Sequence, residues 1–305
     1  MAKATKLRPH KESEKNKLII PVIAIIAIVV LAFIFLSAPQ TPVTPVVEDD
    51  GSVDILKNSM EAASKVNEQA YTIEGEITFG SETQTFTVDV LATGEIDVPS
   101  KEMYSHIQID IPEFGQLAST TQVMESYVIG NKIYGRAEIN GETGPWTTML
   151  SETDLWGESQ GPQKIMEILQ MMDSELVGPA TIGGKEAYKV NVMPDVSKLL
   201  DGILNLQSPE AGYAMLSIAP EDRAEIIDSI KDVSIVLYID KETKLPVRGE
   251  ISMTIILDSL DVLSGGVGQM EMDLFIIMTN DFTSSINIVL PESTKTAMES
   301  AMENF

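Results

Sequence analysis

Two neighbouring stretches, YTIEGEITFG at residues 71–80 and TQTFTVDVLATGEIDV at residues 83–98, alternate apolar and polar side chains with a period of two. This period is typical of β-strands that bury one face of a sheet. Only two residues separate the stretches, which leaves no room for a crossover helix, so we expect the strands to pair antiparallel. They predict the start of an antiparallel meander.

The same alternation continues along most of the remaining chain. In the first half it recurs in KEMYSHIQIDI (101–111), QVMESYVIG (122–130), NKIYGRAEIN (131–140) and GPWTTML (144–150). In the second half it recurs in SELVGPATI (174–182), KEAYKVNVM (185–193), VSIVLYID (233–240), LPVRGEISMTIIL (245–257) and QMEMDLFIIMTNDF (269–282). Glycine, proline and asparagine separate many of these runs, as expected at turns between strands.

Three longer segments, besides two short ones at 211–218 and 220–230, instead have the 3.6-residue period of a helix. The first is predicted to run from an N-cap at Ser52 to about residue 69, with an apolar stripe that includes Leu56 and Met60. The others are predicted at 161–172 and 195–206. Helices therefore interrupt the sheet rather than alternate with its strands, which favours an α+β fold.

Upstream of this domain, LIIPVIAIIAIVVLAFIFL at residues 18–36 has no charged or polar side chain. Its length of about 28 Å as a helix is close to the roughly 30 Å hydrocarbon core of a bilayer. The flank before it is basic, which predicts a cytoplasmic N-terminus. A cleaved secretory signal is the alternative. The length of the stretch and Pro39 just after its end favour a retained signal anchor.

These features predict a single-pass membrane protein with an extracytoplasmic main domain. The expected division is a basic cytoplasmic tail (1–17), a transmembrane helix (18–36), a proline-rich linker (37–51) and the extracytoplasmic domain (52–305). The residues after the helix carry 15 Lys and Arg against 44 Asp and Glu. This acidic surface argues against binding to nucleic acid, which is itself negatively charged.

Candidate chemical motifs are few. The sequence Gly157-Glu158-Ser159-Gln160-Gly161 matches the G-x-S-x-G pattern, but no histidine follows it to complete a hydrolase triad. The chain has two histidines, of which His106 is expected on a strand, and no cysteine, so a transition-metal site is not expected. We therefore expect no enzymatic activity, catalytic residue, metal or cofactor.

A family resemblance emerges from three segments: KIYGRAEINGETGPWTTM (132–149), GGKEAYKVNVMPD (183–195) and DKETKLPVRGEI (240–251). With the order of elements, they make residues 52 to about 290 resemble the LolA/LolB-like superfamily of lipoprotein and lipid carriers. The resemblance implies an unclosed antiparallel half-barrel whose concave face is covered by helices, forming an apolar cavity for acyl chains. The chain departs from the family in having its apolar helix and lacking a lipobox cysteine.

The resemblance and the apolar helices together predict an extracytoplasmic binding protein for a lipid, an acyl chain or a lipidated peptide. The alternative is a sensor or structural surface protein that uses the same scaffold for protein contacts, with partners unknown. The sheet is rich in methionine, whose flexible side chain suits adaptable cores and binding surfaces. The residues expected to line the cavity are Ile165, Leu169, Met172, Leu199, Leu200, Leu204, Ile235, Leu237, Ile251, Met253, Met272 and Leu274.

Overall fold

The computed structural model describes residues 51–80, 85–113, 118–150, 156, 172–197, 227–258 and 269–294. In these ranges the chain forms helix α1 (Ser52–Ala63) and twelve strands. The strands of the first half are β1 (Glu68–Gly80), β2 (Thr85–Asp97), β3 (Glu102–Ile111), β4 (Thr120–Ile129), β5 (Lys132–Ile139), β6 (Glu142–Thr143) and β7 (Thr147–Leu150). Those of the second half are β8 (Asp173–Ile182), β9 (Lys185–Met193), β10 (Ile230–Asp240), β11 (Pro246–Asp258) and β12 (Gln269–Asp281).

All twelve strands belong to one sheet, and every pairing in it is antiparallel. The order is β6-β5-β4-β3-β2-β1-β12-β11-β10-β9-β8, with β7 paired to β5. Among the described residues, the two ends of this order do not pair with each other, so the sheet is unclosed. The predicted α+β class with an unclosed antiparallel sheet is confirmed at this level.

The strands alternate their side chains between two faces, as the period of two requires. We call the face that carries Ile73, Val90 and Ile276 the inner face, because these side chains are buried together. The outer face carries charged side chains, such as Glu74 and Glu125, and also aromatic ones: Tyr134 on β5 is buried there and pairs with Tyr127 on β4. One apolar face on a sheet of this size supplies most of the hydrophobic stabilisation of the domain.

The inner face contains two groups of buried apolar side chains. The central cluster consists of Tyr71, Ile73, Ile77, Phe79, Val88, Val90, Ala92, Ile96, Ile109, Ile255, Met272, Leu274, Ile276 and Met278. The helix-covered cluster consists of Leu56, Met60, Met172, Val190, Val192, Ile235, Leu237 and Ile239. Ile251 packs against both clusters, so the apolar surface is continuous from one to the other.

Helix α1 supplies Leu56 and Met60 to the helix-covered cluster. It ends at Ala63 rather than near residue 69, because strand β1 already begins at Glu68. Ser52 is the first helical residue and not the N-cap; that position belongs to Gly51, which has a left-handed backbone. The Ser52 hydroxyl instead donates to the carbonyl oxygen of Ser174 in β8 at 3.1 Å, tying the helix to the sheet.

The expectation of a single-pass membrane protein is corrected. Within the ranges that the structure describes, no helix is long and apolar enough to cross a membrane. Helix α1 has 12 residues, which corresponds to about 18 Å against a hydrocarbon core of about 30 Å. The segments predicted as tail, membrane helix and linker, 1–17, 18–36 and nearly all of 37–51, lie outside the described residues.

The two ends of the sheet differ in their edge strands. At one end, β6 has two residues and β7 has four. At the other end, β8 has ten residues, but its pairing with β9 shifts register between Leu176 and Gly178. Gly178 has a φ of 139°, and Pro179 follows it, so this strand lacks one backbone donor and is irregular in its middle.

Candidate ligand-binding face

The predicted cavity residues that the structure describes all belong to the inner face. Met172, Ile235 and Leu237 lie in the helix-covered cluster, and Met272 and Leu274 lie in the central cluster. Ile251 and Met253 lie between them on β11. The remaining predicted residues, Ile165, Leu169, Leu199, Leu200 and Leu204, fall outside the described residues.

Ile251 and Met253 differ from the other five in being only half-buried. Ile251 pairs with Ile235 on one side and Ile276 on the other, and Met253 pairs with Leu274. Their neighbours are almost fully buried. The junction between the two clusters is therefore the part of the predicted lining where apolar side chains retain solvent contact and can exchange it for contact with a ligand.

A second feature of the inner face was not predicted: a row of small residues that crosses four neighbouring strands. Gly94 on β2 pairs with Ser105 on β3, Ser105 pairs with Ser126 on β4, and Ser126 pairs with Gly135 on β5. At about 4.8 Å between strands, this row is about 14 Å long. We call it the trough, because larger side chains flank it on the same face.

Two rows of mainly apolar residues form the walls of the trough. One wall consists of Ala92, Ile107, Met124 and Ala137, and the other of Ile96, Met103, Val128 and Ile133. At the β5 and β7 end, Ile139 and Met149 are on the same face and are 52% and 45% exposed. The trough is thus buried at Gly94 and reaches an exposed apolar edge near Gly135.

The buried end of the trough is occupied by Tyr71. This residue pairs with Gly94, and a Cβ atom at Gly94 would fall on the Tyr71 hydroxyl and only 2.6 Å from the carbonyl oxygen of Tyr104. Gly94 is therefore required for the tyrosine ring to lie across β2. The ring directs its hydroxyl along the row, toward Ser105.

Tyr71 and Ser105 each bury a hydroxyl group: Tyr71 is 3% exposed and Ser105 is 4% exposed. The two hydroxyls lie close to each other, and neither forms a further hydrogen bond in the described part of the chain. Burial raises the pKa of Tyr71 to about 12, although the hydrogen bond with the Ser105 hydroxyl opposes the rise. The end of the trough therefore disfavours negative charge.

Positive charge lies at a different place, on the rim of the helix-covered cluster. In the turn between β10 and β11, Lys241 and Lys244 lie over the ring of Tyr188, at 5.4 and 5.7 Å from its centroid. Lys241 also forms an ion pair with Glu186 at 3.2 Å. Cation–π contacts of this kind hold the two ammonium groups near the apolar surface.

The outer face shows no constellation suited to catalysis within the described residues. His106 pairs with Glu125 and Thr93, and Glu125 is bound to Arg136 in an ion pair. No group of three or more His, Asp or Glu side chains in the described ranges could hold a metal ion. Ser159 of the G-x-S-x-G sequence lies outside those ranges. The absence of catalysis stays a prediction.

Comparison with known proteins found no matching family model and no matching curated protein. Solved structures do match. The lipoprotein LppX of Mycobacterium tuberculosis matches with 10% identity over 79% of this chain and 100% of its own, at a TM-score of 0.37. LprF of Mycobacterium bovis matches with 12% identity over 81% and 98%, at a TM-score of 0.41.

A third match is a putative outer membrane lipoprotein-sorting protein domain from Vibrio parahaemolyticus. It has 11% identity over 81% of this chain and 99% of its own, at a TM-score of 0.25. At TM-scores below 0.5 these likenesses carry no argument about this chain, so they assign it neither a superfamily nor the ligands of those proteins.

Proposed function

We propose that this protein binds an amphiphile, such as a lipid, an acyl chain or a lipidated peptide, on the inner face of its sheet. In this proposal the sheet curves around the inner face, and helices cover part of it. The observation that carries the proposal is the continuity of the apolar surface through Ile251 and Met253, which are half-buried between two well-buried clusters.

Two further features support an amphiphile as the ligand. Both buried apolar clusters lie on the inner face, whereas the outer face combines charged side chains with aromatic ones such as Tyr104 and Tyr127. The inner face also has an exposed apolar edge at Ile139 and Met149, where a chain can enter. Large exposed apolar side chains that adjoin a buried apolar surface are typical of ligand or partner sites. Catalysis is no part of the proposal.

The proposal is tested by photo-cross-linking of the purified full chain with a fatty alcohol that carries a diazirine in mid-chain. We expect saturable labelling that maps to inner-face residues of β11 or of the trough and that excess unlabelled fatty alcohol prevents. Labelling that does not saturate, or that maps only to the outer face, would overturn the proposal.

Two matched variants sharpen this experiment. Met253 is half-buried on the inner face of β11, whereas Phe275 on the adjacent β12 is on the outer face and is 43% exposed. We expect Met253→Glu to reduce saturable labelling by at least tenfold, because a carboxylate would have to lose its hydration against the acyl chain. Phe275→Glu should leave labelling unchanged. Thermal unfolding of both variants checks that they remain folded.

A further inference from the structure

The turn between β10 and β11 gathers positive charge on a strongly acidic protein. The chain has a formal net charge of −25, yet Lys241 and Lys244 share one aromatic ring. Their ammonium nitrogens lie 5.4 and 5.7 Å from the centroid of Tyr188. Two like charges held side by side repel each other, and a cation–π contact neutralises neither of them. The packing of the turn alone does not explain this pair.

The carboxylates of the turn compensate the two ammonium groups only weakly. Glu186 forms an ion pair with Lys241 at 3.2 Å, but the Glu186 side chain is 79% exposed, so solvent weakens the attraction. The Oδ1 atom of Asp240 instead accepts hydrogen bonds from two backbone N–H groups of the turn, at 2.9 and 2.7 Å. Glu242, the remaining carboxylate of the turn, is exposed. An anion from outside the protein would therefore improve the balance of charge here.

The backbone of Lys244 is left-handed, with a φ of 64°. This conformation suits glycine and disfavours a residue with a long side chain. The turn is closed by backbone hydrogen bonds of 3.0 Å, from Lys244 to Asp240 and from Asp240 to Leu245. The Lys244 ammonium donates to the carbonyl oxygen of Lys241, which directs it toward its fellow lysine. A lysine at a position that suits glycine indicates a use for its charge.

The pair lies where solvent meets the apolar inner face. Tyr188, the shared ring, packs against the helix-covered cluster. The Lys241 side chain is 30% exposed, and Lys244 is half-buried. A ligand can therefore reach both ammonium groups from solvent, and an apolar part of the same ligand would lie beside the inner face.

The outer face of the same strands shows how a similar pair is satisfied by the protein itself. Lys189 and Arg248 lie over the ring of Tyr238, at 5.7 and 5.9 Å from its centroid. There Glu250 accepts hydrogen bonds from Arg248 at 2.8 Å and from the Tyr238 hydroxyl at 3.2 Å. Among the described residues, no carboxylate forms an ion pair of this kind with Lys244. The inner pair is the one that an external anion can complete.

We propose that Lys241 and Lys244 bind a phosphate group at this rim, against the ring of Tyr188. A phosphate monoester carries nearly two negative charges at neutral pH, which matches two ammonium groups, and lysine is a frequent phosphate ligand. The phosphate is either the head group of the bound amphiphile or a free ion. In the first case the inference rests on the proposed function and names the head group, and the experiment separates the two sources.

The test measures how far ligands protect Lys241 and Lys244 of the full chain from acetylation, read by mass spectrometry. The probes are inorganic phosphate, dodecyl phosphate and the uncharged dodecanol. We expect a phosphate probe to protect both lysines and dodecanol to protect neither. Protection by dodecyl phosphate alone assigns the site to a head group, and protection by inorganic phosphate alone assigns it to a free ion. Protection by neither overturns the inference.

Affinity gives a second readout. If the phosphate is a head group, dodecyl phosphate should displace the diazirine alcohol about tenfold more tightly than dodecanol, which is close to the value of one hydrogen bond to a charged group. Salt at about 1 M should remove this preference, because it screens charges beyond about 3 Å. The double variant Lys241→Gln, Lys244→Gln should lose phosphate binding without weakening dodecanol.

Lys189→Gln is the matched control, because it removes a lysine from the ring of Tyr238 on the outer face. It should keep full phosphate affinity. If the double variant of Lys241 and Lys244 also keeps it, this inference is overturned, while saturable labelling by the diazirine alcohol still supports the proposed function. If that labelling does not saturate, the proposed function fails, and protection by inorganic phosphate still decides this inference.

Lys244→Gly separates binding from the structure of the turn. Glycine suits the left-handed backbone, so the thermal unfolding temperature should stay unchanged or rise. Phosphate affinity should nevertheless fall about tenfold, because one charged hydrogen-bond donor is lost. A lower unfolding temperature together with unchanged phosphate affinity would show that Lys244 only holds the turn, and would overturn the inference.

Discussion

The central cluster and the helix-covered cluster share one face of one sheet. They differ in the hydrogen-bond partners of their buried hydroxyls and in the size of the side chains beside them. In the helix-covered cluster, α1 packs Leu56 and Met60 onto the sheet, and the buried Ser52 hydroxyl is bonded to Ser174. The central cluster instead adjoins a row of small residues, where the hydroxyls of Tyr71 and Ser105 face each other and form no further hydrogen bond within the described structure. The two clusters therefore differ in the size of the side chains beside them and in the partners of their buried hydroxyls.

The largest expected effect is that of Gly94→Ala. The added Cβ would collide with the Tyr71 ring and with the backbone carbonyl oxygen of Tyr104 at 2.6 Å, and the backbone contact cannot be relieved by a side-chain rotation. We expect a loss of about 3 kcal/mol in the free energy of unfolding, measured by chemical denaturation. The central cluster, and not the helix-covered one, should lose its protection from hydrogen exchange first.

Gly135→Ala is the control within the same row. There the nearest atoms to an added Cβ are 3.8 and 3.9 Å away, which is ordinary contact. The change should therefore alter stability by less than about 1 kcal/mol. Equal losses in the two variants would show that the collision at Gly94 does not set the cost, and the account of the Tyr71 ring lying across β2 would fail.

A smaller and more local effect is expected for Met60→Ala. Met60 is 4% exposed and joins α1 to the helix-covered cluster, so the truncation should cost about 2 to 3 kcal/mol. A 12-residue helix is marginal without tertiary contacts, so hydrogen exchange should accelerate in α1, β9 and β10 while β1 to β3 stay protected.

Asp54→Ala in the first turn of α1 serves as the comparison, because Asp54 is exposed. It should cost less than about 1 kcal/mol, the size of a helix-dipole contribution. Loss of protection throughout the sheet in Met60→Ala would mean that the two clusters unfold as one unit and do not differ in the way described above.

The smallest expected effect concerns acid. Hydrogen bonds from Ser284 and Thr283 lower the pKa of Asp281, at the end of β12, from 3.8 to about 2. A carboxyl whose folded-state pKa is lowered stabilises the protein above its unfolded pKa, and this contribution is lost as the pH falls from about 4 to about 2. Because Asp281 is exposed, the change in stability should be small.

A direct measurement is the NMR titration of the Asp281 carboxyl. Its midpoint should lie near pH 2 in the wild type and should move up toward 3.8 in Thr283→Val, which removes one donor.

In the turn beside the helix-covered cluster, burial alone would raise the pKa of Asp240. Hydrogen bonds from Thr243 and Glu242, with Lys185 nearby, outweigh burial and lower it. Asp240 should accordingly resist protonation too.

Much of the sheet was predictable because the period of two is a local signal. The alternation in VSIVLYID and in LPVRGEISMTIIL correctly assigned Ile235, Leu237, Ile251 and Met253 to one face. Helix α1 was predicted too long, because the spacing of its apolar residues and its capping residue do not show where the next strand begins. The predicted helices at 161–172 and 195–206 lie almost wholly outside the described residues and stay predictions.

The trough could not be predicted in the same way. Gly94, Ser105, Ser126 and Gly135 are ordinary strand residues when read singly, and they form a row only through the register of three successive pairings. A shift of one residue in any pairing would move them to opposite faces. The hydroxyl pair has the same origin, since Tyr71 reaches Ser105 only because a glycine lies between them.

The irregular middle of β8 has a consequence for how copies of this protein behave at high concentration. A long edge strand on a sheet with one apolar face is a template onto which a second molecule can add its own strand and start a growing polymer. In β8, the φ of 139° at Gly178 and the missing donor at Pro179 interrupt that template after a few residues. Among the described strands, the sheet can therefore keep a wide apolar face while its β8 edge resists the seeding of fibrils.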